Sequence, residues 1–420
     1  MSSITSPSAA ATLTAATPAS RNRVVDATRA VAMLAVVVGH WLVALPTAGA
    51  DGSIGGINAI ERFHSFQYLT WIFQVMPLVF VVGGFANAAS LAMARARDGR
   101  DGDWVAGRLR RLLKPTIVFA CFWGELRLIA GGVGLVATAA HVASVPLWFL
   151  AVYVVVVAVQ PLIDRVWKSH WVATLSCLVV LSLLGDLAQI TPGFSAVAWL
   201  NHLWVFAACQ QLGVLWFEGR LPSGRRALLA AGAALGTAVG LVAFGPWSLS
   251  LVYVTGQRMS NAHPPSIILL LMGVFQVCAV RSIEAKAQRW LQKPKVWMAV
   301  ALINLRIMTV YLWHFTALII ASVIVIPFGL RPAAGLGSTS WWLTRPLWYA
   351  LLAALLVGIV ALLGRFESGG KAAARPGVLL AIVPVASLAL LHITGNGATA
   401  ITAVVLLAID RILARRQPAR

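Results

Sequence analysis

Charge is what this 420-residue chain has least of. Asp, Glu, Lys and Arg make up 11% of it, and only 13 residues are acidic. That is too little to solvate the surface of a soluble protein this long. Cysteine is scarce as well. Cys121, Cys177, Cys209 and Cys278 all fall in apolar runs without metal-ligand spacing, so they read as small buried residues and no metal is expected. No loop is long enough to hold a soluble domain, which removes support for a sensor or scaffold. No clear internal repeat is present, which weakens an inverted-repeat transporter.

Hydrophobic residues, in contrast, make up 60% of the chain, and apolar runs of about 20 residues read as transmembrane helices. The expected spans are 24–45, 66–92, 112–131, 146–163, 171–190, 198–217, 227–245, 265–280, 299–326, 341–363, 377–392 and 397–413. The last two are short and form a hairpin around Thr394-Gly395-Asn396-Gly397. The expected fold is all-α, a polytopic bundle of ten to twelve spans.

The net charge of +20 would suit a nucleic-acid binder, but its placement argues against one. With the N-terminus inside, 25 of the 33 Lys and Arg fall in inside segments. Arg62, Arg258 and Arg331 are outside, and Arg29, Arg127, Arg306, Arg345 and Arg411 lie within spans. This asymmetry predicts cytoplasmic N- and C-termini. Residues 1–22 begin with an uncharged Ser/Ala/Thr/Pro stretch and read as a disordered cytoplasmic tail, not a secretory signal. Arg greatly outnumbers Lys and Ala is abundant, which hints at a GC-rich bacterial genome and so at a bacterial plasma membrane.

The first span carries Asp26, Arg29 and His40. Ionisable groups inside a span are costly and mark functional sites. Eleven residues at about 100° each bring Arg29 and His40 onto one face, about 16 Å apart along the axis. Asp26, three residues before Arg29, is placed to pair with it. A neutral His can act as a general base near pH 7. His202 and His314 are expected to converge with His40 in one layer, and Arg29, Arg306 and the Arg108/Arg111 pair form a basic layer nearer the inner face. Other readings compete. His202 would serve as an interface anchor and His314 as a helix–helix hydrogen bond. The basic loop from Arg95 to Lys114 would suit topology and anionic lipid as well as a phosphate ligand. Glu125 and Arg127 would line a cavity or pair with other helices. Intramembrane charges would also suit a multi-span transporter or flippase of a glycan or small metabolite.

Five segments in order resemble the membrane-bound acyltransferase 3 family. Arg23 to His40 looks like its opening span, with Arg, ten residues, then His. Met76 to Phe85 resembles the second span, with Gly83 where a Ser usually stands. Arg108-Leu109-Arg110-Arg111 matches its Arg-x-x-Arg. Pro146-Leu147-Trp148-Phe149-Leu150 and Tyr311-Leu312-Trp313-His314 complete the series. The resemblance covers 23–363 and implies a ten-helix core, leaving 364–420 as a C-terminal hairpin and basic cytoplasmic tail. It implies an integral membrane O-acyltransferase moving an acyl group, often acetyl, from cytosolic acyl-CoA to a hydroxyl of a carbohydrate, cell-envelope glycan or small molecule. Arg108, Arg111 and Arg306 would then hold the donor, acetyl-CoA in the O-acetylation case. His40, with Arg29 and Asp26, would be catalytic, His40 as base on the acceptor or as transient acyl carrier. Trp148, His202 and His314 would meet the substrate. The partners expected are acyl-CoA, a hydroxyl-bearing acceptor and the bilayer.

Overall fold

A computed structural model describes residues 17–18, 21–49, 54–130, 134–257 and 259–367. Helix α1 (Arg23–Val43) starts where the Asn22 side chain accepts from the amides of Val24 and Val25. It runs into a hairpin of β1 (Ala44–Ala48) and β2 (Ile54–Asn58), paired antiparallel with Ala44 opposite Asn58. The helices α2 (Ala59–Arg62), α3 (Phe66–Phe73), α4 (Met76–Arg95), α5 (Asp101–Ile129), α6 (Gly134–Ser144) and α7 (Leu147–Ile190) follow. Then come α8 (Ser195–Ala198), α9 (Asn201–Phe217), α10 (Gly224–Phe244), α11 (Ile267–Trp290), α12 (Pro294–Leu305), α13 (Ile307–Val325) and α14 (Thr339–Leu363).

The bundle is all-α apart from that hairpin. Among the described residues, seven helical stretches are long and apolar enough to cross a membrane: 23–43, 66–95, 134–190, 224–244, 267–290, 307–328 and 339–367. The expected spans 146–163 and 171–190 are the two helical halves of α7, separated by a kink where His170 leaves helical geometry at φ −139°, ψ 45°. The expected span 112–131 lies in α5, which begins well before it, and 198–217 corresponds to the 17-residue α9. The last two expected spans lie outside the described residues.

Two other expected spans are broken. The 66–92 run stops at Gln74–Val75 and restarts with Pro77 in the first turn of α4, where a missing N–H costs nothing. In a bilayer the freed backbone groups need partners. Gln276 supplies one by donating to the Gln74 carbonyl (2.8 Å), while the Gln74 side-chain Nε2 donates to the Leu251 carbonyl (2.7 Å). The 299–326 run breaks at Arg306, between α12 and α13.

The tightest crossing joins α4 and α9. A Cβ on Gly84 would strike the Gln210 carbonyl, and one on Gly213 would strike that of Val81. Only glycine lets these backbones touch. Phe80 and Phe206 stack beside the crossing at 4.3 Å between centroids. A buried amide ladder pins the same helices: Asn87 donates to Gln210 (3.4 Å) and Gln210 to Gln160 on α7 (2.5 Å). Helix α10 presents Ala227, Ala231, Ala234 and Ala238 inward, while Leu228, Leu229 and Val239 remain exposed as a lipid-facing surface does.

Candidate functional site

Both ends of α1 carry polar clusters. At the first, the buried Asp26 carboxylate accepts from Arg29 (3.1 Å) and from Arg21 (2.5 Å). The i,i+3 pair expected from sequence is present, and Arg21 is a second partner that sequence reasoning missed. The Asn304 amide donates to the Asp26 carbonyl (2.9 Å), bringing the α12–α13 break to this end of α1.

Arg108 lies against the same layer. It donates to the Ala86 carbonyl and to Ser90 Oγ, each at 2.7 Å, and its guanidinium sits over the Trp104 ring at 5.7 Å. The charges of Arg111 and Arg29 both act on it. Arg29, 79 positions earlier in the sequence, and Arg108 thus lie on the same side of the bundle, with Arg111 exposed beside them. Arg306 is built in differently. Its guanidinium donates to the Gly364 carbonyl (2.6 Å), tying the helix break to the end of α14.

At the other end of α1, His40 Nδ1 meets His314 Nε2 at 2.8 Å, with the rings within 15° of parallel. His314 is fully buried, and its Nδ1 lies 2.5 Å from the Tyr311 carbonyl. A carbonyl only accepts, so His314 Nδ1 carries a hydrogen. In a neutral ring its Nε2 is then an acceptor, which requires His40 Nδ1 to donate. These contacts assign the tautomers and leave His40 Nε2 as a bare lone pair. Trp41 donates to the His314 carbonyl (3.0 Å), and Phe315 stacks on His40 at 5.0 Å, fixing both rings.

His40 opens into a cavity of about 600 Å³, lined also by Trp148, His263, Tyr311 and Phe315. The expected convergence of three histidines resolves into two pairs. His202 is buried behind the wall, stacked on Trp199 (5.2 Å) and bonded to His263 (3.4 Å), while Trp148 packs against His202 and His263. His263 was not foreseen. It belongs to a loop with no helical period, held from several sides. The Asp186 carboxylate accepts from Trp247 and from the Ile267 amide, each at 3.0 Å, and Asn261 donates to the Ser248 and Ser250 carbonyls. Burial lowers the pKa of His263 below the ordinary imidazole value, opposed by the Ala262 carbonyl.

The geometry is therefore a histidine on a cavity wall at one end of a helix, its Nδ1 engaged and its Nε2 left as a lone pair, and a cluster of arginines about 16 Å away at the other. A base or nucleophile with an anion site at that distance suits group transfer from a phosphorylated donor. No curated protein and no solved structure matches the chain. The family model described as an acyltransferase domain matches residues 22–406. The chain belongs to the acyltransferase 3 family and is a multi-pass membrane acyltransferase.

Proposed function

We propose that the chain takes an acyl group, acetyl in the simplest case, from cytosolic acyl-CoA and transfers it to a hydroxyl presented from the other side of a bacterial plasma membrane. The observation that carries this reading is His40 on the cavity wall with its Nδ1 engaged by the His314–Tyr311 relay, which leaves its Nε2 as a lone pair. Arg29, Arg108 and Arg111 would hold the phosphates of coenzyme A at the cytosolic end, with its flexible arm bridging toward His40. Asp26 holds Arg29 in place. The charge asymmetry of the loops supports this orientation, with both termini cytoplasmic.

His40 Nε2 would remove the proton from the acceptor hydroxyl as its oxygen attacks the thioester carbonyl. Collapse of the tetrahedral intermediate breaks the C–S bond and forms the ester. The departing thiolate recovers the proton from the imidazolium. Trp148 and His263 would form the acceptor wall, with His202 behind them. Arg306, committed to the Gly364 carbonyl, would support the donor layer from the α12–α13 break.

The test is release of free CoA from acetyl-CoA by the purified protein in lipid nanodiscs, with and without a membrane extract as acceptor. Acceptor-dependent release, lost in His40→Ala, is expected. A well-folded His40→Ala variant with full activity would remove His40 from the reaction. Movement of a solute across the membrane without CoA release would indicate transport instead.

A further inference from the structure

The cavity over His40 is nearly a hydrocarbon chamber. Its walls come from the far half of α1, the β1–β2 hairpin, α3, α6, α13 and the loop that carries His263. No Asp, Glu, Lys or Arg lines it among the described residues. The polar side chains that do line it are mostly engaged within the protein. Thr70 donates to the Gln67 carbonyl and accepts from the Leu251 amide; Gln74 bonds Leu251 and Met76. Tyr311 donates to the Pro146 carbonyl (2.7 Å), Ser322 to Leu318 and Thr138 to Gly134. Against this background the His40 Nε2 lone pair stands out as a group positioned to take a hydroxyl proton.

We propose that the acceptor is an amphipathic alcohol, a molecule with a bulky hydrocarbon body and few hydroxyls, rather than a free sugar. This rests on the acyl-transfer reading above. The acceptor must reach His40 Nε2, and this cavity is the space that leads there. A sugar would bring several hydroxyls into walls that carry no charged side chain and whose polar groups are mostly paired. Each one left without a partner weakens binding by roughly 5- to 150-fold. A hydrocarbon body loses nothing there, and each buried methylene strengthens binding by about fourfold. The volume is that of a site enclosing a whole small molecule.

The experiment uses the full chain in nanodiscs, with acetyl-CoA and primary alcohols from butanol to decanol, and glucose as the polar comparison. Longer alcohols also concentrate in the bilayer, so each kcat/KM is read as a ratio to the cavity-filling variant Val142→Phe. The ratio is expected to rise with chain length, reaching at least tenfold at decanol, with KM for acetyl-CoA equal in the two proteins and glucose not acylated. A flat ratio, or glucose used as well as the alcohols, overturns the proposal. So does a length dependence found in the acyl chain of the donor instead, which would make that chain the occupant.

Binding is read separately with a ten-carbon alcohol bearing a diazirine, mapping crosslinks by peptide mass spectrometry. Crosslinks on α6 and α13, competed by decanol and retained in His40→Ala, are expected. Crosslinks elsewhere, or none that decanol displaces, overturn the proposal. If the crosslinks map to the cavity but no acceptor releases CoA, the cavity assignment stands and the acyl-transfer reading fails.

Discussion

Replacing His314 separates a residue that merely packs from one that sets the tautomer of His40. In His314→Leu the His40 Nδ1–H faces hydrocarbon. Leaving a buried donor unsatisfied costs about 1–3 kcal/mol. The imidazole escapes that cost by moving its proton to Nε2, which abolishes the free lone pair facing the cavity. The base-competent tautomer should therefore fall by roughly 5- to 150-fold, since a tenfold change in rate corresponds to about 1.4 kcal/mol. The fall should appear in kcat, with KM for acyl-CoA unchanged, because the arginine layer at the other end of α1 is untouched. His314→Gln retains an acceptor oxygen and should stay within about tenfold of the parent, a rescue that simple loss of packing would not show. The 15N spectrum of histidine-labelled protein, assigned with His40→Ala, gives the readout independent of turnover. It should report a protonated Nδ1 on His40 in the parent and in His314→Gln, and a protonated Nε2 in His314→Leu. The reasoning is refuted if well-folded His314→Leu retains full kcat, or if the loss adds in full to that of His40→Ala in the double variant.

Three further outcomes follow. Arg108→Ala should raise KM for acyl-CoA by at least tenfold with little change in kcat, and should flatten its dependence on ionic strength; steady-state kinetics at two salt concentrations checks both. Gly213→Ala should lower the melting temperature in detergent by several degrees or prevent expression, because the new Cβ meets the Val81 carbonyl of α4; thermal scans alongside Gly232→Ala, where nothing is in contact, isolate the crossing. Asp101, outside the spans, is held below the ordinary carboxylate value of 3.8 chiefly by its hydrogen bond from Arg95, then by Arg165. Its ionised form thus stabilises the α4–α5 turn above that value, a contribution lost as pH falls through the depressed folded-state value. Asp101→Asn should therefore melt lower than the parent at pH 7, with the gap closing in acid.

The Arg29–His40 stripe was legible because it depends only on helical geometry, and the structure keeps both residues on α1 with Asp26 paired to Arg29. The meeting of His40 with His314 was legible only as convergence, since the contact joins residues 274 positions apart. What the pattern of a span cannot encode is which side-chain atoms meet. An isolated arginine in an apolar run looks the same whether it binds an anion or satisfies a carbonyl, and Arg306 makes the second contact. His202 likewise read as a layer-mate of His40, but Trp148 and His263 stand between it and the cavity. His263 was invisible because its position depends on Asp186, Asn261 and Trp247, none of which forms a motif with it. The chain breaks at Gln74 and Arg306 were hidden for a related reason. An apolar run records that a segment is buried, not where its hydrogen-bond ladder stops.

The division of labour in this structure has a physical basis. The relay that fixes the His40 ring is carried by α1 and α13, whose contacts are buried and interlocked by Trp41 and Phe315. The chamber wall is shared between α1 and α13 themselves, helix α3, and three further pieces, a two-stranded hairpin, a short helix and a loop. Substitution on a buried interlocked helix disturbs its neighbours, whereas loop and hairpin positions tolerate change. Changes that reshape the wall can therefore alter what enters without moving His40 Nε2. The arginine layer is separated again, by about three turns of α1. On the acyl-transfer proposal, the hairpin, α6 and loop parts of the wall are where the space for an acceptor would change shape while the His40–His314 pair and the arginine layer stay in place.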